Sequence, residues 1–144
     1  MTFEELYGVL CDRKKSLPED SSTTELMTKG LSSILPKLNE ECYEAGMALE
    51  YQNDNDLALE ISQCFYYLLC LSVFIDEPLS SINLDEVSQD EALKDKHKLC
   101  KEIAHCAADI CHTPCLATIN QLPPLLLKAL DVGGATKEQM FSSL

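Results

Sequence analysis

Residues 57–75, LALEISQCFYYLLCLSVFI, have the composition of a helix that is apolar on almost every side. Surface helices carry one apolar stripe, whereas a helix that is hydrophobic all round must be covered by other helices or by a second subunit. From Cys64 onward this stretch leaves hardly any polar side for solvent. It therefore predicts a helix over about 56–75 in the interior of an all-α bundle.

The residues before this helix have the spacing of an antiparallel partner. Apolar side chains recur every three or four positions over about 31–50, which predicts a long helix despite Pro36. The loop YQNDND at 51–56 is short enough to require an antiparallel return, and Asp54 or Asp56 can cap the next helix. The other predicted helices are 3–15 and 23–29 before this hairpin and, after it, 84–112, an apolar helix interrupted by Pro123–Pro124, and a short terminal helix within 135–144.

The totals of the sequence limit the possible size and partners. With 144 residues the chain fits one compact domain. Its net charge of −13 argues against a nucleic-acid partner, because affinity for a phosphate backbone comes mainly from lysine and arginine. The sequence therefore predicts an all-α protein that binds no nucleic acid.

The start of the chain and its cysteines indicate the compartment. MTFEELYGVL has acids where a secretory signal would have a cationic start, and no uninterrupted apolar run is long enough to cross a membrane. We therefore expect a cytoplasmic protein without a membrane partner. In that compartment the eight cysteines should be reduced thiols.

Carboxylates are crowded in the middle of the chain. Helical spacing places Glu44 on the same face as Glu40 and Glu41, and the antiparallel return could bring Glu60 opposite them. Such oxygens are the ligands that Mg²⁺ prefers, although a solvated acidic surface would have the same pattern. The first 37 residues hold five of the eleven basic residues, which could bind a phosphate.

Two stretches carry a resemblance to a known family: LYGVLCDRKKSLPEDSSTTELMTKGLSSILPKLNEECYEA (6–45) and EISQCFYYLLCL (60–71). The order of an LY helix, RKKSLPE, a Ser/Thr pair, KGL, EExxE and a second helix that opens with Glu resembles phosphoribosyl-ATP pyrophosphohydrolase. More broadly it is similar to the all-α nucleotide pyrophosphohydrolases that include the MazG type. The resemblance implies an antiparallel bundle of that type, with a pyrophosphohydrolase-like core over 1–78 and a helical extension over 79–144 packed on the same domain.

The resemblance also implies a function, a cofactor and a set of site residues. The family's EExxE and ExxD motifs hold magnesium on substrate phosphates, so this chain would hydrolyse the α–β phosphoanhydride of phosphoribosyl-ATP or a (d)NTP-like nucleotide and release pyrophosphate. The aspartate of ExxD is replaced by Gln63, a family histidine by Tyr67 and a family glycine by Asn39. A catalytically impaired binding or scaffold protein of the same fold is therefore the alternative. The implied metal ligands are Glu40, Glu41, Glu44, Glu60 and Gln63; the implied catalytic residues are Glu41 and Glu44; the candidate substrate-binding residues are Arg13, Lys15, Lys29 and Lys37.

Three further expectations complete the sequence-based interpretation. A homodimer is predicted, because the helix over 56–75 is apolar on too many sides for a thin bundle. Tyr66 or Tyr67 could line a nucleotide pocket. A zinc site or a cysteine nucleophile is disfavoured, because the spacing lacks paired CxxC or HxxxH; its candidates would be His105, Cys106, Cys111, His112 and Cys115.

Overall fold

The structure is a computed structural model that describes residues 1–51 and 54–144. Within these ranges the chain forms α-helices joined by turns and two 3₁₀ segments, and it contains no strand. The predicted all-α fold is confirmed. The helices are α1 (Phe3–Ser16), α2 (Ser22–Lys29), α3 (Leu31–Tyr51), α4 (Asp54–Phe74), α5 (Lys96–His112), α6 (Leu116–Ile119), α7 (Leu122–Gly133) and α8 (Lys137–Ser143).

Helices α3 and α4 form the central antiparallel pair. Helix α3 runs through Pro36 without ending and buries a side chain every three or four residues, including Leu38, Cys42 and Leu49. Residues 52 and 53, at the centre of the predicted loop, and the side chain of Asp54, a predicted cap, lie outside the described part of the chain. The predicted hairpin of two long helices is otherwise found within two residues of its expected bounds.

Helices α1 and α2 are fixed against the C-terminal end of α4. The Lys14 Nζ donates hydrogen bonds to the carbonyl oxygen of Val73 at 2.9 Å and to the Asp76 carboxylate at 2.7 Å. A cation is favourable there because the last carbonyl groups of a helix have no partner inside the helix. Gly30 ends α2 with a φ of 71°. It lies so close to the Phe74 ring that a Cβ atom added at this position would be 2.8 Å from the nearest ring carbon.

The C-terminal half covers the rest of α4. Helices α7 and α8 both pack on α4, and the continuous hydrophobic core includes residues from both sides of the predicted boundary between 78 and 79. The apolar surface that motivated the homodimer prediction is thus buried within one chain. The dimer and the domain boundary stay predictions.

Two predicted helices differ from the structure. Residues 84–95 are not α-helical, because Asp90 and Asp95 accept hydrogen bonds from the backbone amides of Ala92 and Lys98 and so cap a 3₁₀ turn and α5. Capping residues offer the backbone partners outside a helix, which stops a continuous helix from forming. Pro123 and Pro124 do not interrupt a helix; they lie in the first turn of α7, where the missing amide hydrogens cost nothing.

Helix α4 has the length and hydropathy of a membrane-spanning helix. Its segment from Asp56 to Phe74 has a mean hydropathy of 1.6, and 67% of that segment is buried inside the protein. The core helix of a soluble protein has the same character, so the expectation of no membrane partner stays a prediction.

Candidate functional site

Three of the predicted carboxylates converge between α3 and α4. Carboxylate oxygens of Glu41, Glu44 and Glu60 lie within 4.8 Å of one another, and all three side chains are half-buried. Glu41 and Glu44 are one turn apart on α3, and the antiparallel register brings Glu60 from α4 to face them. The described residues contain no other group of three or more possible metal ligands.

The crowding makes this cluster electrostatically unfavourable by itself. Burial, followed by the neighbouring Glu60 and Glu44 carboxylates, raises the pKa of Glu41 to about 8. Burial is also the first cause of the raised pKa of Glu60, with Glu44 and Asp56 adding to it. Removing water and adding like charge both disfavour the ionised form. A cation in the cluster would reverse this penalty.

The donor set fits a hard divalent cation. The Glu60 Oε2 atom is buried and has no hydrogen-bond partner, which is unusual for a carboxylate oxygen. Three oxygens this close could contact one ion after small side-chain rotations, and all-oxygen ligands are those preferred by Mg²⁺. Glu41, Glu44 and Glu60 could therefore hold the magnesium ion that the sequence predicts.

Two of the five predicted metal ligands lie outside this cluster of three. Glu40 is exposed and lies 3.7 Å from the Lys37 ammonium group. Adjacent residues on a helix point about 100° apart, so Glu40 and Glu41 cannot share one direction. Gln63 is partly exposed on α4, three residues after Glu60 and on the same side of the helix. An amide ligand at this position would add an oxygen to the site without adding charge.

The four predicted phosphate-binding residues do not lie in one place. Lys29 and Lys37 line one cavity of about 280 Å³ between α2, α3 and α4, together with Tyr66 and Tyr67. Lys15 lines a different cavity beside α1 and the end of α4. Arg13 donates a hydrogen bond from Nη1 to Thr23 Oγ1 at 3.3 Å. Tyr66 and Tyr67 thus line one cavity with Lys29 and Lys37, and the expectation that this cavity takes a nucleotide stays a prediction.

The alternative zinc ligands do not come together. Among the residues that the structure describes, His105, Cys106, Cys111, His112 and Cys115 form no group of three possible ligands. None of the eight cysteines is paired in a disulfide. Burial raises the pKa of the Cys106 thiol to about 12, whereas the hydrogen bond from the Thr118 backbone amide lowers the pKa of the partly exposed Cys115 thiol.

Two features of the site were missed at the sequence level. Asp56 lies one turn before Glu60, and its carboxylate contributes to the raised pKa of Glu60; the spacing of four residues was a usable signal. Thr23 is fully buried, and its hydroxyl lies 2.7 Å from the hydroxyl of Tyr66, so it helps to hold a residue that lines the cavity. No local pattern indicates that second contact, because the two residues are 43 positions apart.

Comparisons with known proteins agree with this geometry. The model of the family "Phosphoribosyl-ATP pyrophosphohydrolase" matches residues 3–113, which include α1 to α5 and all three clustered glutamates. The chain belongs to the phosphoribosyl-ATP pyrophosphohydrolase family. It is 38% identical over 79 residues to a phosphoribosyl-ATP pyrophosphatase of Clostridium novyi, covering 55% of this chain and 72% of the relative. It is also 43% identical over 70 residues to a phosphoribosyl-ATP pyrophosphatase of Haloarcula marismortui, covering 47% of this chain and 71% of the relative.

Membership in the phosphoribosyl-ATP pyrophosphohydrolase family identifies the protein as an enzyme of the pyrophosphohydrolase type. The family match extends past residue 78, so it also includes α5 of the predicted C-terminal extension. No solved structure gives a significant match to the chain. The resemblance seen in the sequence is thus confirmed at the level of the family.

Proposed function

We propose that this protein is a Mg²⁺-dependent pyrophosphohydrolase that cleaves the α–β phosphoanhydride of phosphoribosyl-ATP or a (d)NTP-like nucleotide. The observation that carries the proposal is the convergence of Glu41, Glu44 and Glu60, with a buried Glu60 oxygen that lacks a partner. The names of the family and of the two relatives favour phosphoribosyl-ATP as the first substrate to test.

In this proposal Glu41, Glu44 and Glu60 hold the cation, and the Gln63 amide oxygen is available as a neutral ligand. Bound magnesium supplies Lewis-acid stabilisation of charge on the phosphate oxygens. Gln63 in place of an aspartate lowers the negative charge of the site, so the affinity for magnesium should be lower than with four carboxylates.

The hydrolysis needs only water as a co-reactant. The water oxygen forms a bond to the α-phosphorus, and the bond from that phosphorus to the bridging oxygen breaks. Pyrophosphate leaves with the electron pair of the broken bond. A carboxylate oxygen of Glu41 or Glu44 accepts the proton of the attacking water, the role that a general base fulfils in such reactions.

The second candidate function is binding without catalysis, and the observation that favours it is Gln63. A site with only three convergent carboxylates could fail to keep magnesium at cellular concentrations. The protein would then act as a binding or scaffold protein of the same fold, and its partner binding would not depend on the clustered glutamates.

The test is release of pyrophosphate from phosphoribosyl-ATP, ATP and the deoxynucleoside triphosphates, with magnesium and with EDTA. We expect magnesium-dependent release from at least one substrate and a loss of roughly 100-fold or more in Glu44→Gln, the range typical of general-base removal. Glu50→Gln is the matched control, because Glu50 lies on the same helix and contacts His97 at 3.1 Å on another side.

Two results would contradict the proposal. One is release of no pyrophosphate from any of these substrates while calorimetry also shows no magnesium binding; this would favour the scaffold function. The other is equal activity of the wild type and Glu44→Gln, which would place the reaction elsewhere in the protein.

We further propose a cytoplasmic homodimer that binds neither nucleic acid nor membranes. The net charge of −13 supports the expectation that the protein does not bind nucleic acid. Support for a dimer comes from the outer face of α3, where Tyr43 and Tyr51 are 68% and 73% exposed. Sedimentation velocity that shows only monomer at micromolar concentration would contradict the dimer.

A further inference from the structure

The cavity that contains Lys29 and Lys37 has the lining of an anion site. Its volume of about 280 Å³ is close to the roughly 300 Å³ of the smallest ligand pockets in proteins, which is enough for two linked phosphate groups. Residues with hydroxyl or ammonium groups, from three helices, line the same space. The residues that matter here are Ser22, Lys29, Ser33, Lys37, Tyr66 and Tyr67.

This lysine cavity adjoins the carboxylate cluster along α3 and α4. Lys37 lies one turn before Glu41 on α3, so the two side chains lie on the same side of that helix. On α4, Tyr67 lines the cavity, and its pKa is raised by burial and then by the nearby Glu41 carboxylate. A ligand that lies along α3 and α4 could therefore contact the lysines with one part and the carboxylates with the next.

The two lysines are free to change partners. Lys29 pairs with Glu25 at 2.6 Å and Lys37 with Glu40 at 3.7 Å, and the lysine side chains are 59% and 52% exposed. Exposed ion pairs of this kind contribute little to stability, so both ammonium groups can turn to a phosphate at low cost. Glu25 also lines the cavity, which leaves one net positive charge in a chain whose total is −13.

The aromatic wall of the cavity is held in place from behind. Thr23 is fully buried, lies 2.7 Å from the Tyr66 hydroxyl and accepts a hydrogen bond from Arg13 at 3.3 Å. The rings of Tyr66 and Tyr67 then meet edge to face at 5.0 Å. Arg13, predicted as a substrate ligand, is thus placed as a positioning residue for Tyr66.

The opposite side of the carboxylates has a different character. Met47 follows Glu44 by three residues on α3, and Leu59 precedes Glu60 on α4; these two apolar side chains are 39% and 42% exposed. Apolar surface of this kind suits a ribose or a base better than a phosphate. The cluster is therefore flanked by lysines on one side and by exposed apolar residues on the other.

We infer that the lysine cavity binds the pyrophosphate leaving group, so that the substrate lies across the carboxylates with its nucleoside toward Met47 and Leu59. This inference rests on the proposed function, in which the α–β bond is broken over the carboxylate cluster. The β- and γ-phosphates accept hydrogen bonds from Lys29, Lys37 and the serine hydroxyl groups. The chemical class of the ligand is an inorganic or nucleotide-linked diphosphate with bound magnesium.

The experiment measures binding of inorganic pyrophosphate and of AMP by calorimetry in the presence of magnesium. The proteins are the wild type, the double variant Lys29→Met/Lys37→Met and the control Lys98→Met, whose exposed lysine lies on α5. We expect the Kd of pyrophosphate to rise roughly tenfold or more in the double variant, because charge-assisted hydrogen bonds are lost. The Kd of AMP should change by less than about threefold, and Lys98→Met should match the wild type.

Each other outcome overturns the inference in a recognisable way. Unchanged pyrophosphate binding in the double variant, or no pyrophosphate binding by a wild type that binds magnesium, removes the lysine cavity as the subsite but leaves the proposed function intact. Weaker AMP binding with unchanged pyrophosphate binding means that the substrate lies in the reverse direction. If the wild type binds no magnesium, both the proposed function and the inference are wrong. The variant Lys37→Arg keeps the charge, so it should bind pyrophosphate as the wild type does.

Discussion

Replacing Glu41 with glutamine should stabilise the metal-free protein at alkaline pH and also destroy the proposed cation site. Burial and the neighbouring Glu60 and Glu44 carboxylates raise the pKa of Glu41 from 4.5 to about 8. Between these two values the folded protein holds more protons than the unfolded chain. The free energy of unfolding of the metal-free protein therefore falls as the pH rises through this range.

The size of the effect follows from the pKa and from the exposure of the cluster. At a pH above both pKa values, each unit by which the pKa in the folded state exceeds that in the unfolded state lowers the free energy of unfolding by about 1.4 kcal/mol. The Glu41 side chain is only partly buried, so solvent screens much of this interaction, and we expect about 1–2 kcal/mol to remain. Glutamine has nearly the same shape and no charge. The variant should therefore melt about 3–6 °C above the wild type in EDTA near pH 8.5.

Thermal and urea denaturation measure this difference at about pH 5 and about pH 8.5, in EDTA and in magnesium. The stabilisation should shrink toward pH 5, and magnesium should stabilise the wild type but not Glu41→Gln. Glu50→Gln is the control, because hydrogen bonds from Tyr51 and His97 lower the pKa of Glu50, so it should not stabilise the protein at pH 8.5. A Glu41→Gln protein that is less stable than wild type in EDTA at the higher pH would refute the reasoning.

Three other results are expected. Magnesium binding near neutral pH should release protons, because Glu41 must ionise to become a ligand. Calorimetry in two buffers of different ionisation enthalpy measures the number of protons released. Equal binding heats in the two buffers would contradict this expectation. Gln63→Asp should bind magnesium more tightly and keep or increase activity, and a lower activity together with tighter binding would exclude Gln63 as a simple ligand. Gly30→Ala should lower the free energy of unfolding by about 1–3 kcal/mol in urea denaturation, because φ is 71° and the new methyl group would meet Phe74.

The carboxylate cluster could be predicted from the sequence because its geometry is almost entirely local. The spacing of Glu41 and Glu44 on one helix and the short return to Glu60 require only helix periodicity and an antiparallel hairpin. The EExxE motif does not show which of two adjacent carboxylates faces the partner helix, and Glu40 lies outside the cluster of three, so its role as a metal ligand stays a prediction. The structure settles that direction by placing Glu40 beside Lys37.

The lysine cavity could be predicted only in part. Its cations are visible in the sequence, but its walls depend on how α2 packs on α4, and that packing is made by contacts between distant residues. The buried Thr23 lies beside Tyr66, and Gly30 lies against the Phe74 ring. In the same way, the polar segment 84–95 was included in a predicted helix, yet its aspartates cap shorter elements, and only the tertiary structure shows which hydrogen bonds form.

The position of the site follows from how α4 is covered. A helix this apolar needs neighbours on most sides, and α1, α3, α7 and α8 of the same chain supply them. The side that remains partly exposed carries Asp56, Glu60, Gln63 and Tyr67, spaced three or four residues apart, with Leu59 beside Glu60. Among the described side chains of α4, polar ligands are favoured along that strip, because elsewhere they would be buried and would need partners inside the protein. The C-terminal half thus contributes to the site by burying, together with α1 and α3, the other sides of α4, which leaves this strip as the part of the helix that can meet a substrate.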